Sequence, residues 1–169
     1  MTVNAFTFVE MFSKVAGTAD HLLTTGAAHA ESLGQSGEAA LDWRLIDDMH
    51  PLRFQVAVVC NFAQQWPARV AGLPVPASVS DQLDVAGLKA ALAAARSFLA
   101  GLSAEQFEGR DEVPLTFAIG KGMEPTMPSG RWLTGFATTN LYFHLSTAYA
   151  ILRAEGVPLG KVDLFAAGL

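Results

Sequence analysis

Asn140 and His144 stand four residues apart in "TTNLYFHLSTAYAILRAEG", residues 138–156, and no residue between Arg131 and Arg153 carries a formal charge. Side chains at i and i+4 share one face of a helix, so this amide and this imidazole point to one place. Such a pair can contribute metal ligands, offer a base or acceptor to a small molecule, or close a hydrogen-bonded network inside the core. Gln55, at the edge of the apolar face of "PLRFQVAVVCNFAQQWP", is the third polar group positioned to join them. Buried polar groups must find partners. Gln55, Asn140 and His144 are therefore expected to form one polar cluster, read either as a register-setting core network or as the lining of a small ligand pocket. With no carboxylate nearby in sequence, burial is expected to push the His144 imidazole below its usual pKa of about 6.5.

A second candidate is His50 in "DDMHPL", beside Asp47 and Asp48 at the mouth of the second helix. Asp and His together suit Zn or Mn, although acidic residues before a helix ordinarily serve as caps and dipole partners. His144 and His50 are thus the metal-ligand candidates. Cys60 lies at the border of an apolar face without a local basic activator and reads as an inert thiol. "FAIGKG" lacks the spacing and the hydroxyl of a phosphate-binding loop. The chain contains neither a His-Glu-x-x-His helix nor a nucleophile elbow.

These groups need rigid elements to hold them. Apolar spacing predicts four long amphipathic helices. The first covers about Asn4 to Ala30, with Phe8, Phe12, Val15, Ala19, Leu22, Leu23 and Gly26 on its buried face. His21 falls on the opposite side near Glu10 and Lys14, where solvent exposure is expected. Residues 34–37 break the pattern. The second helix starts near Pro51, a favoured first-turn residue. It buries Leu52, Val56, Val59, Phe62, Ala63, Trp66 and Val70, and a kink or break is expected at Pro67. "GLPVPASVSD" reads as a loop. The third helix, from about Val85 to Gly101, has Asp84 as N-cap and a stripe of Val85, Leu88, Leu92, Ala95, Leu99 and Leu102. "SAEQ", 103–106, reads as a capping box.

The segment 112–128 has strand-like "VPLTFAI" punctuated by Gly and Pro, which predicts a short β-hairpin or extended loop. The last helix should begin near Ser129 and end before Gly156. On a wheel of about 100° per residue, Leu133, Ala137, Asn140, His144, Ala148 and Ile151 cluster within about 40°, which places Asn140 and His144 at the centre of the core-facing stripe. Tyr142 and Tyr149 fall opposite, flanked by Leu145. The apolar tail "LGKVDLFAAGL" is expected to dock on the helices or on a second subunit. The result is an all-α protein: a single domain, residues 1–169, built as an antiparallel four-helix bundle with one long crossover.

Of the 169 residues 51% are hydrophobic and only 16% charged, with a net charge of −5. A low-charge surface favours self-association, so a homodimer is expected. Net negative charge disfavours nucleic acid and anionic membranes. The uncharged run 132–152 is long enough to span a bilayer, but its Thr, Asn, His and Ser residues would be costly there. A single cysteine and an N-terminus without signal-peptide character point to the cytoplasm.

"DMHPLRFQV" followed by "NLYFHLSTAYAILRAEGVPLGKVDLF" resembles an uncharacterised bacterial family of the DinB-like, or YfiT-like, superfamily, across nearly the whole chain. The resemblance implies a four-helix bundle, often dimeric. In many members of the superfamily three histidines bind a divalent metal, one on the second helix and an i, i+4 pair on the fourth. Some members are thiol-dependent transferases or isomerases. Here His144 matches the second histidine of the pair, Asn140 stands in place of the first, and the helix-two position falls closer to Val58 than to His50. The ligand triad is incomplete. The expected function is a homodimeric small-ligand-binding or structural protein with a degenerate metal site and either no cofactor or a divalent ion (Zn, Ni, Mn or Fe). The alternative is a metal- or thiol-dependent transferase or isomerase using His144.

Overall fold

Helix α1 runs over Thr7–Ser32, and its stripe of Phe12, Val15, Ala19, Leu22, Leu23 and Gly26 is buried as the spacing predicts. The computed structural model describes residues 5–168, so Asn4, the expected helix start, lies outside the described residues. Helix α2 spans Leu52–Ala71 and carries Pro67 in its interior without a break. Of the expected kink or break after Trp66, the break does not occur. Pro67 withholds one backbone donor, yet the helix continues to Gly72, whose φ of +72° suits a residue without Cβ. Helix α3, Val85–Ala100, is capped by Asp84, whose carboxylate accepts from the Gly87 N–H at 2.7 Å. The expected capping box forms at least its return half, the Ser103 N–H donating to Gln106 Oε1 at 2.9 Å.

Strands β1 (Pro114–Thr116) and β2 (Thr126–Pro128) pair antiparallel in the predicted hairpin. A continuous helical run then covers 129–154: an α-turn α4 (Ser129–Arg131), a π-helical segment Trp132–Ala137, and α5 (Thr138–Ala154). Gly156, with φ +84°, ends it where expected.

The π segment changes which residues face inward. Across it the Thr138 N–H bonds to the Leu133 carbonyl, an i→i+5 step that widens the turn. Buried positions therefore advance in fours through Leu133, Ala137, Leu141 and Leu145 before reaching Ala148, Ile151 and Leu152. Leu145 belongs to the core, at 1% exposure, and not to the outer tyrosine face. Asn140 and His144 move from the centre of the stripe to its edge and are half-buried.

Pairs of contacts set the helix directions. Gln55 meets His144, Phe62 meets Phe136 and Trp66 meets Trp132, so α2 and the last run are antiparallel. Gly26 abuts Leu152 while Met11 and Tyr142 line one cavity, so α1 and α5 are parallel. Lys89 reaches Asp20 and Arg96 reaches Gly17, so α1 and α3 are antiparallel. It follows that α2 and α3 run the same way, a departure from the expected antiparallel bundle, and the crossover 72–84 must return along α2. The amides of α2 hold that return. Asn61 bonds both the N–H and the carbonyl of Val79 at 2.7 and 3.1 Å, Gln64 bonds Ala77 O at 3.3 Å, and Gln65 bonds Pro76 O at 3.0 Å. An extended proline-containing segment has backbone polar groups that need such partners.

One hydrophobic cluster draws on all the long helices. At its hairpin end Trp66, Phe117, Trp132 and Phe136 pack ring on ring, and Trp132 Nε1 donates to Leu115 O at 2.7 Å, tying hairpin to helices. The tail docks on α1: Val157 and Leu159 are buried, and Ala167 closes on Gly17. Among the described residues no helix is long and apolar enough to cross a membrane.

Candidate functional site

Gln55 sits on the first turns of α2 at 3% exposure. Its Nε2 donates to the His50 carbonyl at 2.9 Å. The amide oxygen is thereby the atom turned toward α5, and Oε1 lies 2.8 Å from His144 Nδ1. A carbonyl oxygen only accepts, so Nδ1 carries the proton and donates. In the neutral ring the lone pair then resides on Nε2. That nitrogen has no hydrogen-bond partner among the described residues and is not fully buried. It remains reachable from solvent.

Aromatic rings frame it. The His50 ring stacks on Phe54 with centroids 3.9 Å apart, Phe54 meets the His144 ring edge-on at 6.0 Å, and Phe143 meets it edge-on at 5.1 Å. Burial pushes the His144 pKa down to about 4, with a smaller contribution from the positive charge that His50 can carry. The expected neutral imidazole is therefore what the surroundings enforce.

The expected cluster is only partly assembled. Gln55 and His144 are joined, whereas Asn140 donates its Nδ2 to the Phe136 carbonyl one turn back, at 2.8 Å, and makes no hydrogen bond to His144. His50 contributes its backbone carbonyl to the chain of bonds, and its exposed ring stacks on Phe54 and makes no hydrogen bond to His144. Val58, near which the resemblance put the helix-two ligand, lines a cavity of about 230 Å³ with Phe54, Ala57, Asn61, Val79, Ser80 and Asp81. Among the described residues no group of three His, Cys, Asp or Glu side chains could hold one ion. One open imidazole nitrogen, an amide committed to a backbone carbonyl and a valine do not make the three-histidine site that the resemblance led one to look for. Cys60 is fully buried and its thiol is pushed up to about 12 by burial, so it is protonated and inert.

A family described as "Domain of unknown function (DUF1993)" matches residues 6–165. The chain belongs to that family. A crystal structure of a DinB family member protein from Shewanella denitrificans is similar to this DUF1993 chain with a TM-score of 0.82 and 29% identity, over 92% of this chain and 88% of that one. Among curated proteins nothing matches. The DinB-like resemblance carried by "DMHPLRFQV" and the C-terminal signature is thus borne out.

One DUF1993 contact had no signal in the sequence. His21, expected in solvent near Glu10 and Lys14, is half-buried and bonded through Nε2 to Asp163 Oδ1 at 2.8 Å. Asp163 also accepts from the Gly160 N–H at 2.7 Å, and these two bonds, the backbone one foremost, hold its carboxyl below the usual range. The pair fastens the tail to α1 across 142 positions of sequence, beyond the reach of any periodicity.

Proposed function

We propose that this chain is a single four-helix-bundle domain, up-down-down-up, that works as a homodimer and binds a small molecule at His144. The observation that carries the binding reading is the unequal use of the two ring nitrogens. A histidine wholly engaged in a core network would commit both. Here Nδ1 is fixed by an almost completely buried glutamine, while Nε2 has no protein partner among the described residues, on a ring that Phe54 and Phe143 meet edge-on. An oriented acceptor beside aromatic rings supplies two of the features that small-ligand sites combine, a placed polar group and an apolar wall. A pKa of about 4 makes this imidazole a weak base at neutral pH, which favours binding over general-base catalysis.

The dimer reading is supported by the outer side of α5. Tyr142 is 37% exposed on a run without formal charge. A two-fold contact sets a surface against itself, so a chargeless face avoids opposing like charges in a protein of net −5.

The test is a fragment screen by protein-observed NMR, with elemental analysis of the purified protein. Fragments mapping to Phe54, Phe143 and His144 in metal-free protein are expected. Stoichiometric Zn, Ni, Mn or Fe that disappears in His144→Ala would replace this reading with the metal-dependent transferase or isomerase.

A further inference from the structure

We infer that Gln55 is a positioning residue that locks His144 in its Nδ1–H tautomer, and that the site consequently selects small uncharged ligands that donate a hydrogen bond, with an apolar or aromatic body. The inference rests on the binding reading above and adds the chemical class of ligand.

The His50 carbonyl accepts only, so it requires the Gln55 NH₂ and thereby fixes which end of the amide faces α5. The Gln55 oxygen accepts only, so it requires the proton of Nδ1. Gln55 cannot turn its amide over without setting two carbonyl oxygens together at one end and, in the locked tautomer, two donors at the other. Its burial leaves no water to relieve either clash. The outward atom of the site is thus an acceptor. A hydroxyl or a neutral N–H can use it; a carboxylate, phosphate or ether oxygen cannot. The ligand body would lie along Phe54 and the exposed Phe143, which offer ring edges and faces. His50 stacked on Phe54 extends that aromatic wall. No acidic side chain bonds the His144 ring, so nothing favours its protonated form as an anion receptor.

The experiment uses phenol and anisole, which share a ring and differ in the donor. Two-bond ¹H–¹⁵N NMR first reads the tautomer in the free protein: Nδ1 should be of the protonated, pyrrole type and Nε2 of the pyridine type. Phenol should then shift the His144 ring signals with an affinity about tenfold above that of anisole, the worth of one neutral hydrogen bond. In Gln55→Met, which keeps much of the volume but removes the amide, the Nε2–H form should appear and the preference for phenol should fall away. If Gln55→Met does not fold, the wild-type tautomer still decides. A protonated Nε2 in the wild-type protein overturns the inference. Equal binding of both probes at His144 overturns the donor selection while leaving the binding reading intact. No shift at His144 with either probe overturns the binding reading and this inference with it.

Discussion

Replacing Gln55 by alanine removes the centre of the site, and its cost follows from the geometry. Two hydrogen bonds are lost, at 2.9 Å to the His50 carbonyl and 2.8 Å to His144 Nδ1. A neutral bond contributes about 1 kcal/mol net, and an acceptor left buried without a partner adds about 1–3 kcal/mol. The half-buried His144 can turn partly to water, so its share belongs at the low end. Removing the Gln55 side chain at 3% exposure also opens a small cavity. The expected loss is about 2–4 kcal/mol, or roughly 5–15 °C in melting temperature for a domain of this size. Urea unfolding followed by circular dichroism measures it. Gln55→Met should recover the cavity portion but not the hydrogen bonds, so it should fall between alanine and wild type. A Gln55→Ala protein within about 0.5 kcal/mol of wild type, the range of an ordinary surface substitution, would refute the claim that this amide is a buried, doubly bonded link between α2 and α5.

Four further outcomes are expected. Stability should fall as pH drops from about 6.5 to about 4: His144 has a folded pKa of about 4, below that of the unfolded chain, so the folded state binds fewer protons and the contribution present above pH 6.5 is lost through this window. Partial exposure limits the loss to the order of 1–2 kcal/mol, and His144→Gln should remove this part of the pH dependence in urea unfolding. Trp132→Phe should cost about 1–3 kcal/mol by leaving the Leu115 carbonyl without its indole donor, with faster amide exchange across 114–128 as the readout. Asp163→Ala should raise hydrogen exchange over 157–168 while leaving α2 and α3 protected, because it removes the links to His21 and Gly160. Light scattering should report a dimer for the wild type and a monomer for Tyr142→Asp; a monomeric wild type at micromolar and higher concentrations would remove the dimer.

What the sequence made legible, and what it did not, divides along a physical line. The stripes of α1 and α3, the Asp84 cap, the Gly156 stop and the short hairpin are local, and local spacing or turn chemistry was enough to place them. The link from Gln55 to His144 was also legible, since two polar residues on facing apolar stripes have few other partners. The error at Asn140 came from carrying one helical period through Trp132–Ala137, where the backbone widens into a π-helical segment. No residue type in "WLTGFA" announces that change. The same phase error placed Leu145 outside. Pro67 interrupts the hydrogen bonding of α2 but not its packing, because Trp66, Ala68 and Val70 are buried on either side and hold the backbone in line. His21 and Asp163 could not be paired beforehand, since only the course of the tail brings them together.

The central claim is that His144 is an oriented binding group and not merely a satisfied core residue. His144→Gln separates the two. Glutamine can restore a polar contact to Gln55, so the variant should fold and melt close to wild type, but it cannot present an imidazole nitrogen. The direct measurement is a two-dimensional NMR titration of wild type and His144→Gln with the same aromatic hydroxyl probe, phenol. The account predicts saturable shifts centred on Phe54, Phe143 and position 144 in the wild type and none in the folded variant. Equal shifts in both proteins, or none in either, would contradict it.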